Sequence, residues 1–159
     1  MLKLTKKADY GLMAMRHLAE HTNEGALSAK DVAEAYGIPA ELLAKILQKL
    51  VKAKLLQSSH GINGGYALAR DPRNISAFEV IKAIDGPLFI TSCVTSAGRE
   101  CYQTDKCTVR EPLRKVNESI QDVLSRITIW DMKEDPAKNN GSKKNGSEGV
   151  TVEELITLS

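Results

Sequence analysis

Ser28-Ala29-Lys30-Asp31-Val32-Ala33-Glu34-Ala35-Tyr36-Gly37-Ile38-Pro39-Ala40-Glu41-Leu42-Leu43-Ala44-Lys45-Ile46-Leu47-Gln48-Lys49-Leu50 reads as two helices and the turn between them. Ser28 is an N-cap hydroxyl with an acid, Asp31, three residues on, and Val32, Ala33 and Tyr36 form the inward side of a short helix. Gly37 permits a left-handed turn, and Pro39 suits the first turn of the next helix. There Leu43, Ile46, Leu47 and Leu50 recur at the spacing of one helix face. A capped helix, a glycine-bearing turn and a second amphipathic helix make a helix-turn-helix.

Outward from this unit, Lys54 to Ser59 and Tyr66 to Arg70 read as two short strands joined by the glycine-rich His60-Gly61-Ile62-Asn63-Gly64-Gly65. A hairpin directly after a helix-turn-helix is a wing. With the leucine stripe inward, Glu41, Leu42, Lys45 and Gln48 face out as base-reading candidates. Ser28, Pro39, Ala40, Lys49, Lys52, Lys6, Lys7 and the wing tip (His60, Gly61, Asn63, Gly64) are candidates for sugar-phosphate or minor-groove contact. Two packed helices with no role on DNA, and His60 as a plain loop histidine, are the bland readings beside these.

On the N-terminal side, Leu12, Met13, Met15, Leu18 and Ala19 give a helical stripe from Asp9 to about Glu20. On the C-terminal side, Asp71 to Asn74 is a turn, and Ser76-Ala77-Phe78-Glu79 is a capping-box pattern that opens a helix ended by Gly86-Pro87. The fold expected is mainly α with a small β-hairpin wing.

The chain has 159 residues and 42% hydrophobic content, enough for one domain with appendages. Residues 1–75 hold 11 Lys+Arg against 7 Asp+Glu, a net of +4, whereas residues 76–159 hold 11 against 13, a net of −2. A basic N-terminal half suits a polyanionic partner such as double-stranded DNA. No membrane span or signal-peptide core is legible, which points to the cytoplasm, where thiols stay reduced. No nucleophile with a nearby base and no phosphate loop emerges, so neither an enzyme nor a small-molecule substrate is expected.

All three cysteines, Cys93, Cys101 and Cys107, fall in one segment spaced C-x7-C-x5-C. The paired knuckles of a four-cysteine zinc site are missing. Spacing alone leaves two readings open, ligation of a metal or cluster and ordinary thiols in a surface loop. Were all three to ligate one centre, a fourth ligand would come from a non-cysteine side chain, solvent or a second subunit.

After Pro112, the residues Leu113, Val116, Ile120, Val123 and Ile127 are spaced 3, 4, 3, 4, a two-heptad a/d seam. A DNA reader generally works as two copies on a two-part site, so this seam is read as a homodimerisation helix, with an intramolecular core face as the alternative. Trp130 reads as a packing anchor. The expected organisation is a winged helix-turn-helix over 1–86, a cysteine loop over 87–110, a dimerisation helix and end of the ordered body over 111–132, a linker over 133–149 and a tail over 150–159.

Leu4-Thr5-Lys6 with Asp9-Tyr10, Val32-Ala33-Glu34, Gly37-Ile38-Pro39, Leu47-Gln48-Lys49-Leu50, Gly61 with Gly64-Gly65-Tyr66, and Ile81-Lys82-Ala83-Ile84-Asp85-Gly86, followed by three cysteines, closely resemble the Rrf2 family of bacterial regulators, which includes IscR, NsrR and RirA. The resemblance spans residues 1 to about 132. It implies a winged-helix dimer with a long crossing helix and an iron-sulfur cluster, 4Fe-4S favoured over 2Fe-2S, whose state changes DNA affinity. By position it implies Cys93, Cys101 and Cys107 as ligands, with a first gap more like the iron-responsive RirA type. The position of the ligating histidine of IscR-type proteins is Arg110 here, and a guanidinium has no lone pair to give a metal. Asp9 is the remaining candidate for fourth ligand, contributed by the partner subunit, with a helix cap or surface acid as its plain reading. The function implied is a transcriptional regulator, a repressor sensing iron, cluster supply, redox state or nitric oxide. A cluster-free thiol-redox repressor and a cluster carrier or assembly factor are the alternatives.

Overall fold

The computed structural model describes residues 3–91, 101–103 and 105–133; Cys93, the expected linker and the expected tail lie outside the described residues, apart from Lys133. Among the described residues, six α-helices and one hairpin follow in the order α1 (Lys6–Glu20), α2 (Ala29–Tyr36), α3 (Ala40–Lys52), β1 (Leu56–Ser59), β2 (Gly65–Leu68), α4 (Ala77–Asp85), α5 (Arg110–Arg126) and α6 (Ile129–Lys133). This is the mainly helical winged architecture expected.

The helix ends follow local chemistry. Thr5 caps α1 by accepting the Ala8 amide at 3.2 Å, so α1 begins at Lys6, three residues ahead of the apolar stripe. Ser28 accepts the Asp31 amide at 3.1 Å, and Gly37 ends α2 in the left-handed region at φ 63°. Ser76 and Glu79 complete the capping box of α4.

The end of α3 departs from expectation. Lys54, read as the first strand residue, instead has φ 60°. The Leu55 amide reaches back to the Leu50 carbonyl at 3.0 Å and the Lys54 amide to Val51 at 2.9 Å. These two bonds make a Schellman cap with lysine where glycine is usual. Leu55 and Leu50, both buried, supply its apolar contact, and the strand starts only at Leu56.

The wing is an antiparallel pair in the register Leu56↔Leu68, Gln57↔Ala67, Ser58↔Tyr66, Ser59↔Gly65. Leu27 adds a bridge to Tyr66, and a Cβ on Gly65 would overlap the Leu27 carbonyl, so only glycine lets the strand lie so close to the chain entering α2. The core is built from Met15 and Leu18 of α1, Val32 of α2, Leu43, Ile46, Leu47 and Leu50 of α3, Leu55, Leu56, Val80 and Ile84, with Ile129 from α6. Tyr36, expected on the buried side of α2, is exposed: it sits at the last turn, and its hydroxyl meets His17 Nδ1 at 3.1 Å.

After α5 the chain returns to the body. The Ala77 amide donates to the Ile127 carbonyl at 2.8 Å and the Ile129 amide to Ile75 at 2.9 Å, which seats α6 against α1. Trp130, expected as a packing anchor, is half-buried, with the Arg73 guanidinium 4.2 Å and the Lys133 ammonium 4.8 Å from its ring centre.

Candidate nucleic-acid interface and cysteine segment

Burial of Leu43, Ile46, Leu47 and Leu50 fixes the roll of α3, and Glu41, Lys45 and Gln48 consequently stand exposed on its outer side, with Pro39 and Ala40 exposed at its start. Leu42 does not join them. It is half-buried and packs against the core, so it is withdrawn from the expected outward face. Gln48 and Lys52 line a groove whose other wall is the wing, through Ser58, Ser59, His60 and Tyr66. The wing tip is open: His60, Gly61 and Asn63 are exposed, and Gly61 has φ 108°. Ile62 at the same tip is fully exposed at 104% of its reference area, an apolar side chain that its loop composition gave no reason to single out.

Two of the side chains expected at the DNA backbone also make bonds within the chain. Lys49 Nζ donates to the Ile84 carbonyl at 2.8 Å, placing its charge at the negative end of α4. The Ser28 hydroxyl caps α2 and donates to Asp31 Oδ2 at 2.7 Å. Lys6 and Lys7 are exposed on the first turn of α1, where Lys6 pairs with Asp9 at 3.7 Å. Asp9 is therefore not the cap of α1, a role Thr5 fills; its carboxylate is 42% exposed and ion-paired within its own helix.

Cys101 and Cys107 are half-buried on either side of a turn in which the Lys106 amide donates to Gln103 at 3.0 Å. The turn leads straight into α5 at Arg110, whose side chain is exposed, and helix formation begins two residues ahead of the expected Pro112. On the other side, the chain leaving α4 is held along α5: Asn117 Oδ1 accepts the Ile90 amide at 3.0 Å, and Gln121 Nε2 donates to Leu88 at 2.9 Å. None of the described residues between 87 and 126 belongs to the main apolar core.

The seam of α5 is uncovered. Val116, Val123 and Ile127 are 47%, 57% and 36% exposed, Leu113 and Ile120 half-exposed, while the buried residue of this helix is Asn117. A helix that buries an amide and exposes valines has its apolar face turned away from its own chain.

A further cluster lies on α1, where His17, Glu20 and His21 bring ligand-type atoms within 4.8 Å of one another. Burial pushes the His17 pKa below its ordinary 6.5, His21 adding to that and Glu20 and Glu24 opposing it. Burial likewise raises the Tyr36 hydroxyl. Among the described residues, no helix is long and apolar enough to cross a membrane.

A family profile described as iron-dependent transcriptional regulator, Rrf2, matches residues 4–135. The HTH-type transcriptional regulator IscR of Xenorhabdus nematophila is 33% identical over 131 residues, covering 82% of this chain and 79% of the relative. Among solved structures, CymR, the global cysteine regulator of B. subtilis, is similar with TM-score 0.68 at 28% identity, over 84% of this chain and 97% of that one. IscR from T. potens gives TM-score 0.65 at 33% identity, over 91% and 94%.

Proposed function

The chain belongs to the Rrf2 family of iron-dependent transcriptional regulators, and from that premise we propose that it is a cytoplasmic, homodimeric repressor whose operator affinity is set by an iron-sulfur cluster held on Cys93, Cys101 and Cys107. The observation that carries this reading is the placement of Cys101 and Cys107 at the foot of α5, in a segment outside the core, next to a helix with a bare apolar seam. Cysteine thiolates are suitable donors, and half-burial leaves them reachable. A cluster held by these three thiolates, four-iron in type, would cross-link positions 93, 101 and 107 and supply a centre that responds to iron, oxidants or nitric oxide.

The protein residues do the rest. Glu41, Lys45 and Gln48 present hydrogen-bonding groups to base edges, while Lys52, Pro39, Ala40 and the wing tip at His60, Gly61, Asn63 and Gly64 lie against the backbone. Leu113, Val116, Ile120, Val123 and Ile127 pack against the same residues of a second copy, setting the spacing of the two α3 helices against a groove repeat of about 34 Å. Asp9 of the partner is the candidate fourth ligand, released from Lys6 to reach it. A carboxylate is a weak iron ligand beside thiolate, and that suits a centre meant to be lost.

The test is purification without oxygen, followed by a visible spectrum with iron and acid-labile sulfide counted per chain. Matched iron and sulfide that vanish in Cys101→Ala, with the dimer retained in sedimentation, support the reading. A chain that stays colourless and iron-free after reconstitution refutes it. The second reading, a cluster-free thiol switch on the same cysteines, draws support from the similarity to CymR of Staphylococcus aureus, solved in an oxidized form, and such a result would favour it.

A further inference from the structure

His17-Leu18-Ala19-Glu20-His21 closes α1. Residues three and four apart on a helix share a face, and H-x-x-E-H is a spacing by which zinc peptidases set two imidazoles on one helical turn. The structure brings one ligand atom from each of the three side chains within 4.8 Å of the others.

The imidazoles are also oriented as ligands usually are. His21 Nδ1 lies 2.8 Å from the His17 carbonyl, which can only accept, so Nδ1 carries the proton and Nε2 keeps its lone pair. His17 Nδ1 lies 3.1 Å from the Tyr36 hydroxyl, which can accept from it, and in that tautomer Nε2 of His17 is open as well. Ligating histidines characteristically spend the second ring nitrogen on such a partner. The two rings stack with centroids 4.1 Å apart, so one ring must turn about its side-chain bonds before both lone pairs meet a single ion. The end of α1 adds the negative pole of the helix, which favours a cation.

We propose that His17, Glu20 and His21 bind a divalent late first-row metal ion, zinc as the representative case, at a site separate from the cysteine segment. Two imidazoles and a carboxylate suit such ions, with solvent completing a tetrahedron. Ligand bonds near 2.0–2.1 Å put donors about 3.4 Å apart, so the side chains must close by up to roughly 1.4 Å. Glu20 has the freedom to do so: it is exposed, and Arg16 holds its Oε1 at 3.0 Å while Oε2 stays available. Arg16 opposes the metal, and Glu24 assists it through space. Through Tyr36 the ion would also brace the end of α2, the first helix of the helix-turn-helix.

The chain has only three histidines, His17, His21 and His60, which makes ring-nitrogen spectroscopy decisive. Zinc chloride is titrated into the reduced, ¹⁵N-labelled full chain while long-range ¹H–¹⁵N spectra are recorded. The expected result is movement of the His17 and His21 ring nitrogens together, saturating at one ion per site, with His60 unmoved. Both responses should disappear in His17→Gln, and Tyr36→Phe should weaken binding about tenfold while leaving the same two rings responsive. Zinc uptake with the His17 and His21 rings unmoved would assign the metal to the thiols and overturn the site, as would movement of His60 alone.

Discussion

The carboxamide oxygen of Asn117 accepts the backbone N–H of Ile90 at 3.0 Å, across 27 positions of sequence, and Asn117 is 3% exposed. This bond fastens the chain that runs toward the cysteine segment onto the middle of α5. Truncation by Asn117→Ala removes the acceptor and strands a partly buried donor, a loss of about 1–3 kcal/mol. Urea unfolding should show the midpoint fall, and amide exchange at Ile90 should accelerate. Unchanged exchange at that amide would mean that water or another acceptor replaces the side chain.

Lys54 occupies a left-handed position that costs an L side chain roughly 1–2 kcal/mol, against a glycine chain-entropy cost of about 0.5–1 kcal/mol. Lys54→Gly should therefore raise stability by up to about 1 kcal/mol, read from the urea midpoint at constant slope. A fall in the midpoint would show that the lysine stem packs on α3 more strongly than its backbone is strained.

Glu79 carries a pH-dependent share of stability. Burial pushes its pKa up, but hydrogen bonds from the Arg70 guanidinium at 2.8 Å and from the Ser76 amide at 3.0 Å outweigh that, and the carboxyl lies below its ordinary 4.5. A carboxylate lowered in the folded state stabilises above its unfolded pKa, and the benefit is lost as pH falls through the folded one. With both partners about 40% exposed, the share is under about 1 kcal/mol. The midpoint gap between the native chain and Glu79→Gln should be present at neutral pH and shrink steadily below pH 4.5.

On DNA, the lysines of α3 should separate. Lys52→Ala should lower the slope of log affinity against log salt by about one, and Lys45→Ala should relax base preference by about 1–3 kcal/mol. Lys49→Ala should lower the salt slope by less than Lys52→Ala, because its ammonium is positioned by the Ile84 carbonyl. Fluorescence anisotropy at several salt concentrations distinguishes the three.

The winged body was legible because its signals are local: Ser28, Gly37, Ser76 with Glu79, and the apolar spacing of α3 each announce their own element. What escaped depends on neighbours. Leu42 looks outward on a helical wheel, yet the core reaches it; Tyr36 looks inward, yet α2 ends before its ring is covered. Lys54 escaped because nothing in a lysine announces a positive φ. His17 and His21 sit beside the apolar stripe of α1 and read as ordinary helix surface until their ring partners in space are known. The return of α6 to α1 rests on backbone bonds at Ile75, Ala77, Ile127 and Ile129, which leave no mark on side-chain pattern.

The bonds at Ala77 and Ile129 make α5 a stiff rod riveted at one end. Its 17 residues span about 25 Å, and Asn117, some 10 Å from the end that meets Cys107, ties it to Ile90 of the chain leaving α4. A displacement at Cys107 would act on the short arm ahead of Asn117, the long arm being bonded at Ile127 and Ile129 to the body that carries α3. The leverage favours torque over travel: small displacements at the cysteines would be felt as strain at Asn117 and along the seam before the body itself shifts.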